Sequence, residues 1–376
     1  MLNNDGYVFK PRSIISLEKQ IDACKDEALQ YVLFAKKAGC LARHSRLAEA
    51  KSILKELRVA NKNHDPRLSA WILFAEGQIY HFDLLDNVRA KEKFNRAFLA
   101  AQSAHERELV GTASAWLAHC EFVSGDIKSA LDHVLVSFRA SEPNSSDARG
   151  RSSMVLADAL NWAGKTNLAK KWYKEARMHA VRDGDIAMQN VMLFNSAAHG
   201  VWRLTMLDCR QKILAEDWKF LTMEVDSAKS LNMALGIYSL SSMIPIMEAE
   251  LLVIKHRWSE ASEIFSSKID KFIEEGQSRL LSKLLAQSAW CRANMGEYAE
   301  AKMDLSGSML HIRECSDLDD LAVTYYRTAS AHRLVGDLET STRHEALARE
   351  YFGQFENRQA EVLDLLTSVL TAIEQK

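Results

Sequence analysis

Proline and glycine are scarce in this 376-residue chain, at 4 and 15 residues, so turns are few and long helices are favoured over a strand-rich fold. Excess charge of one sign is also missing. Forty-eight basic residues stand against 50 acidic ones, a formal net charge of -2, which removes the footprint of a nucleic-acid binder and argues against direct nucleic-acid contact. The densest basic stretch, Lys165, Lys170, Lys171, Lys174, Arg177 and Arg182, reads as the solvated outer face of one helix. The 6 cysteines form no C-x-x-C pair and lie too far apart for a secreted disulfide scaffold, so they read as reduced packing residues. No uncharged apolar run reaches transmembrane length, and Met1 to Pro11 carries Asn3, Asn4 and Asp5 where a signal peptide needs an apolar core. These absences lead to the expectation of a cytoplasmic protein with no membrane partner.

What the chain has is repetition. A turn-forming residue, a polar residue, an apolar residue and a closing small residue recur with a period near 40 residues. The turn residue is Ser45, Gly125, Gly164, His256, Gly296 and Gly336 in turn, and the closing residues include Ala50, Ala130, Ala169, Ala261, Ala301 and Ser341. About 12 residues before each closing position stands a second small residue: Ala38, Gly77, Ala118, Ala157, Ala197, Ala249, Ala289 and Ala329. Their partners are Ala50, Ala90, Ala130, Ala169, Cys209, Ala261, Ala301 and Ser341. Small residues at such places let two antiparallel helices approach closely, because helix separation is set by the side chains at the crossing. Larger apolar residues at helical spacing, such as Leu47, Leu54 and Leu57, supply the buried stripe.

These units resemble tetratricopeptide repeats, helix-turn-helix pairs with an alanine in the second helix. Leu117-Ala118 and Leu156-Ala157 stand at the family's Leu-Gly pair, with Ala130 and Ala169 at the second-helix alanine. The longer spacing is similar in style to the sensor region of MalT-type bacterial regulators. The resemblance implies an all-α fold, a right-handed α-solenoid of about eight helical hairpins with a C-terminal capping helix. The expected organisation is an arm over 1–15 with Ser16 as the first N-cap. Units one to four and the first helix of unit five then cover 16–206. The long second helix of unit five and units six to eight cover 207–355, and a capping helix covers 356–376. The interval from Cys209 to Ala261 is the longest and contains Pro245, which should bend or delay its helix; the solenoid deviates there as a hinge or a rigid offset.

Catalytic motifs fail on context. Gly164-Lys165-Thr166 ends like a phosphate loop, but the leading glycine would fall at Ala159, in a helical segment. His344-Glu345 begins like a zinc motif, yet Ala348 occupies the second histidine's place, leaving an exposed helical pair as the reading. Asp319-Asp320 reads as an acidic helix start. No serine elbow or cysteine-histidine signature is present in the sequence, so the chain reads as no enzyme, with no cofactor and no metal.

In proteins that resemble this one, first helices line a concave face that binds extended peptides. Carrying over the inward repeat positions selects Trp71, Gln78, His81, His119, Arg151, Asp158, Asn161, Glu250, Trp290, Tyr326 and Arg333, which mix aromatic anchors with hydrogen-bonding groups. The basic-and-asparagine carboxylate clamp of chaperone-binding relatives is not reproduced at Ala35, Gly39 and Ala42. The function expected from the resemblance is a non-catalytic scaffold, adaptor or regulatory subunit that holds a partner protein or peptide. The alternative is a sensor of a small-molecule ligand or signalling peptide that acts through another protein. Neither reading specifies the partner or the oligomeric state.

Overall fold

Each of the six repeat turns opens on a residue with left-handed backbone: φ is 59° at Ser45, 81° at Gly125, 75° at Gly164, 57° at His256, 80° at Gly296 and 87° at Gly336. Such a residue reverses the chain within a few positions and sets consecutive helices side by side. The computed structural model describes residues 10–83, 86–212, 217–235 and 242–375, and among these there are 17 α-helices and no strand. The expected all-α class is therefore seen. The chain divides into two compact units, Met1–Met192 with Glu361–Lys376, and Leu193–Ala360.

The first unit holds α1 (Arg12–Ala23), α2 (Glu27–Arg43), α3 (Leu47–Ala60), α4 (Pro66–Asp83), α5 (Asn87–Ser103), α6 (Arg107–Val123), α7 (Ile127–Ala140), α8 (Ser146–Trp162) and α9 (Thr166–Asp183). Helices α2 and α3, α4 and α5, α6 and α7, and α8 and α9 pack as hairpins; α2 also packs on α4, and α6 on α8. Helix α10 (Ile186–Cys209) begins in this unit and ends in the second. The second unit continues with α11 (Asp217–Leu235), α12 (Met243–Ile254), α13 (Trp258–Glu274), α14 (Leu281–Asn294), α15 (Tyr298–Leu310) and α16 (Leu318–Leu334). There α14 packs on both α15 and α16. The last helix, α17 (Leu338–Glu374), starts in the second unit and ends in the first.

The small residues sit where helices touch. Ala38, Ala50, Ala118, Ala130, Ala157, Ala169, Ala289 and Ala301 are wholly buried. At the last pair Ser341 Oγ donates to the Ala329 carbonyl at 2.8 Å, so the twelve-residue spacing corresponds to direct contact. Ser282 and Ser308 exchange hydroxyl-to-carbonyl bonds of 2.9 and 2.8 Å between α14 and α15, an approach that bulkier side chains would prevent. In α4, a Cβ on Gly77 would lie 2.6 Å from the Phe94 ring.

Several boundaries differ from the expected ones. The first helix starts at Arg12, with Pro11 at its N-cap, and Ser16 lies inside it. Proline fixes φ ahead of a first turn whose N–H groups need no helical partner. Asp26 then starts α2 by accepting from the Ala28 and Leu29 N–H groups at 2.9 and 3.2 Å, a cap that stabilises a helix by about 1 kcal/mol. Residues 1–9 of the expected arm lie outside the described residues.

Cys209 closes a first helix rather than lying in a second one. Leu204 to Cys209 contains no turn former, so α10 runs on until Gln211 takes the left-handed conformation at φ 56°. The hairpin partner is α11, where Leu221 occupies the contact and Gly200 of α10 makes room: a Cβ there would meet Leu221 at 2.5 Å. Pro245 is the third residue of α12, inside the first turn, where its missing N–H breaks no helical bond. Parts of the expected deviation, 213–216 and 236–241, lie outside the described residues.

The segment expected as a separate cap over 356–376 is continuous with α17, and its apolar stripe Val362, Leu366 and Val369 is buried with Ala118, Leu156 and Leu160 of the first unit. A stripe at i, i+4 and i+7 needs an apolar face, and the first unit supplies one.

Candidate functional site

In the first unit, α2, α4, α6 and α8 carry a polar and aromatic face. Lys36 Nζ lies 4.6 Å from the Trp71 ring centroid and 2.7 Å from both Glu108 oxygens. Beside them is a cavity of about 290 Å3 whose lining includes Ser13 and Gln20 of α1, Arg43 of α2, Trp71 and Gln78 of α4, and Thr112 of α6. Gln78 is 1% exposed, and its amide oxygen rests on Gly39, where an added Cβ would meet it at 1.8 Å. Gly39 is therefore there for close approach.

Arg43 organises one end of this face. Its Nη1 donates to both Asp147 oxygens at 3.1 and 2.9 Å, and its Nε lies 3.4 Å from Asp185. Burial opposes its charge, but Asp147 and Asp185 more than offset that and raise its pKa. Asp185 is itself held low: burial would raise its carboxyl, but Arg43 and His44 outweigh it.

One turn further along α8, Arg151 is 3% exposed and stacks with its guanidinium carbon 3.7 Å from the Trp116 ring centroid. It has no ion-pair or hydrogen-bond partner among the described residues, and its Nε is sealed. Burial pulls its pKa down to about 10. Stacking on a desolvated indole stabilises a guanidinium by about 2 kcal/mol. The effective penalty for burying an ion is several kcal/mol, so the stack alone does not account for Arg151. Around the same indole lie His81 and His119, with ring centroids 5.4 and 6.0 Å from it and 5.2 Å from each other. Burial and the Arg151 charge push His81 down to about 4. Burial, His81 and Arg151 hold His119 well below its usual range.

The second unit has a different balance. Lys283 on α14 lies 2.9 Å from Asp320 and 3.5 Å from Glu250, and these carboxylates raise its pKa against burial. Asp319 accepts from Trp202 Nε1, and burial with Asp320 alongside pushes its carboxyl up. Arg327 is paired with Asp208. Gln287 is wholly buried, with neither amide atom bonded among the described residues.

The residues selected from the sequence fall into separate groups. Trp71 and Gln78 line the cavity, while His81, His119 and Arg151 surround Trp116. Asp158 is buried and accepts from the Tyr173 hydroxyl, which ties α8 to α9. Asn161 is half-buried near the end of α8, where its carbonyl accepts from Gly164 N–H at 2.9 Å. Glu250 belongs to the Lys283 cluster. Trp290 packs edge-on against Trp258 at 5.9 Å, and Tyr326 is half-buried beside Arg327. Arg333 is exposed and paired with Glu345 at 2.8 Å.

Asp319 and Asp320 stand in the first turn of α16 as expected, and both are buried, Asp320 against Lys283. One reading from the sequence is corrected. His344 is not an exposed pair member: it is 5% exposed, bonds Thr328 Oγ1 at 2.9 Å, and burial pushes it down to about 4. Sequence reasoning also passed over Trp116, Arg43, Asp147 and Asp185. Trp116 directly precedes the Leu117-Ala118 pair, and that position was the available signal.

Burial pushes the Cys120, Cys291 and Cys315 thiols up to about 12 and Cys209 to about 11, far from thiolate reactivity at neutral pH. Among the described residues no three His, Cys, Asp or Glu side chains group as metal ligands, and no helix is long and apolar enough to cross a membrane. A scan against known protein-family models finds no match to this chain, and neither does a search of curated proteins.

Proposed function

We propose that the chain is a non-catalytic binding protein, a right-handed solenoid of tetratricopeptide-like hairpins that holds a partner peptide or protein segment along its first helices. Its place would be that of an adaptor, scaffold or regulatory subunit. The observation that carries this reading is the polar and aromatic face of α2, α4, α6 and α8, where Lys36 lies 4.6 Å from the Trp71 ring centroid and both border a cavity that Gln78, Arg43 and Thr112 also line. Aromatic anchors beside charged and hydrogen-bonding groups are the mixture that dominates binding energy at recognition surfaces.

A second reading, a small-ligand or signalling-peptide sensor, is favoured by the cavity of about 290 Å3, near the lower size for a small-molecule pocket. Selection of a random peptide library on the full chain tests the first reading. Enriched peptides should lose affinity to Trp71→Ala and Lys36→Glu but not to Lys128→Glu on α7. Equal binding to all three variants, or no enrichment over bare resin, would overturn it. Saturable thermal stabilisation by sugars or dipeptides in place of longer peptides would select the second.

A further inference from the structure

We propose that Arg151 receives a carboxylate of the bound ligand, in a subsite built by its guanidinium on α8, the Trp116 indole beneath it, and His119 on α6. The proposal rests on the binding function put forward above and assigns the chemistry of one contact. Arg151 lies 3.7 Å over Trp116, is 3% exposed, and meets no acidic side chain among the described residues. Its Nε is sealed without an acceptor, and Nη1 and Nη2 have no acceptor among the described residues either. Other deeply placed cations are treated differently: Arg43 meets Asp147, Lys283 meets Asp320, and Arg327 meets Asp208.

The missing partner has a specific cause. Asp147 stands four residues before Arg151 on α8, where an acidic residue would ordinarily pair with it, but both Asp147 oxygens are taken by Arg43. Arg151 is thereby left as a planar fork aimed at no protein group, and such a fork matches a carboxylate with two parallel bonds. His119 borders the same indole, its ring centroid 6.0 Å away, and its Nδ1 has no hydrogen-bond partner among the described residues. His81 already bonds Asn87 through Nδ1 at 3.0 Å. Both rings are held neutral, which leaves one fixed positive charge and favours a monoanion over a dianionic phosphate.

Nitrogen-labelled arginine in the full chain gives a direct readout, with the Arg151 Nε–H resonance assigned by its loss in Arg151→Lys. Titration with N-acetylphenylalanine should shift that resonance saturably, while the corresponding amide and matched sodium chloride should not. The same carboxylate should raise the thermal midpoint of the wild type and not of Arg151→Met. Arg151→Lys keeps the charge without the fork and should bind it about tenfold or more weakly. No saturable shift at millimolar carboxylate, an equal shift with the amide or chloride, or tighter binding of inorganic phosphate would each overturn the subsite. If Arg151→Met does not fold, the labelled wild type and Arg151→Lys still decide. Should the carboxylate fail while selected peptides still depend on Trp71, the binding face stands and only the carboxylate receptor falls.

Discussion

Arg43 holds both carboxylate oxygens of Asp147, at 3.1 and 2.9 Å, across a sequence separation of 104 residues. The pair joins the end of α2 to the first turn of α8, and Asp185 approaches the same guanidinium at 3.4 Å. Removing the cation alone leaves two carboxylates without their counter-charge. Arg43→Met should destabilise the first unit by about 3–5 kcal/mol. Arg43→Met combined with Asp147→Asn and Asp185→Asn should recover most of that loss, as read from urea unfolding. A single variant as stable as wild type would refute the pairing as an element of stability.

The repeat turns give a second test, because Gly125 has φ 81° and open space where a Cβ would stand. Gly125→Ala therefore reports backbone strain alone and should lower stability by about 1 kcal/mol. Ser45 adopts the same conformation at φ 59°, so Ser45→Gly should raise stability by less than about 1 kcal/mol, glycine's own entropy offsetting part of the relief. Denaturation midpoints of opposite sign for the two variants are the expected result.

Packing at the small positions predicts a graded loss. Ala157 and Ala169 are wholly buried on α8 and α9. Ala157→Leu should destabilise by about 1–3 kcal/mol through overpacking, whereas Leu168→Ala, at an exposed position on the same hairpin, should change little. Thermal melts of the two variants separate crossing residues from surface ones.

Stability of the second unit should respond to pH in two opposed ways. His344 is lowered from 6.5 to about 4 by burial, so its contribution is complete above 6.5 and is lost as pH falls from there toward 4. Asp319 is raised above 3.8 by burial and Asp320, so its contribution is complete below 3.8 and is lost as rising pH forces it to ionise. His344→Gln should flatten the acid side of the profile. Asp319→Asn keeps an acceptor for Trp202 and should be more stable than wild type in mildly alkaline buffer. Urea midpoints across the pH range check both, and unchanged slopes in either variant would contradict its assignment.

Much of the helical framework was legible from local chemistry. The turn residues took left-handed backbone, and the small pairs other than Ala197 and Cys209 became buried contacts, because each depends on residues within one hairpin. Legibility ended where a turn former was absent: α10 continued through Leu204 to Cys209, and the helix carrying Val362 and Leu366 did not break before its cap. At the candidate site, repeat register placed Trp71 and Gln78 beside a cavity but also selected Asp158, which bonds Tyr173, and Arg333, which pairs with Glu345. Register specifies a face of a helix; it carries no information on what stands opposite.

The sequence by itself determined the helical class, the turns and the crossing residues, since φ preference, side-chain size and apolar period act over a few turns of chain. Tertiary structure decided which charges meet. Arg43 meets Asp147 and Arg327 meets Asp208 across separations of 104 and 119 residues, while Arg151, one turn after Asp147, meets no carboxylate among the described residues. Coulomb attraction and burial depend on distance in space, which is set only when the helices have packed.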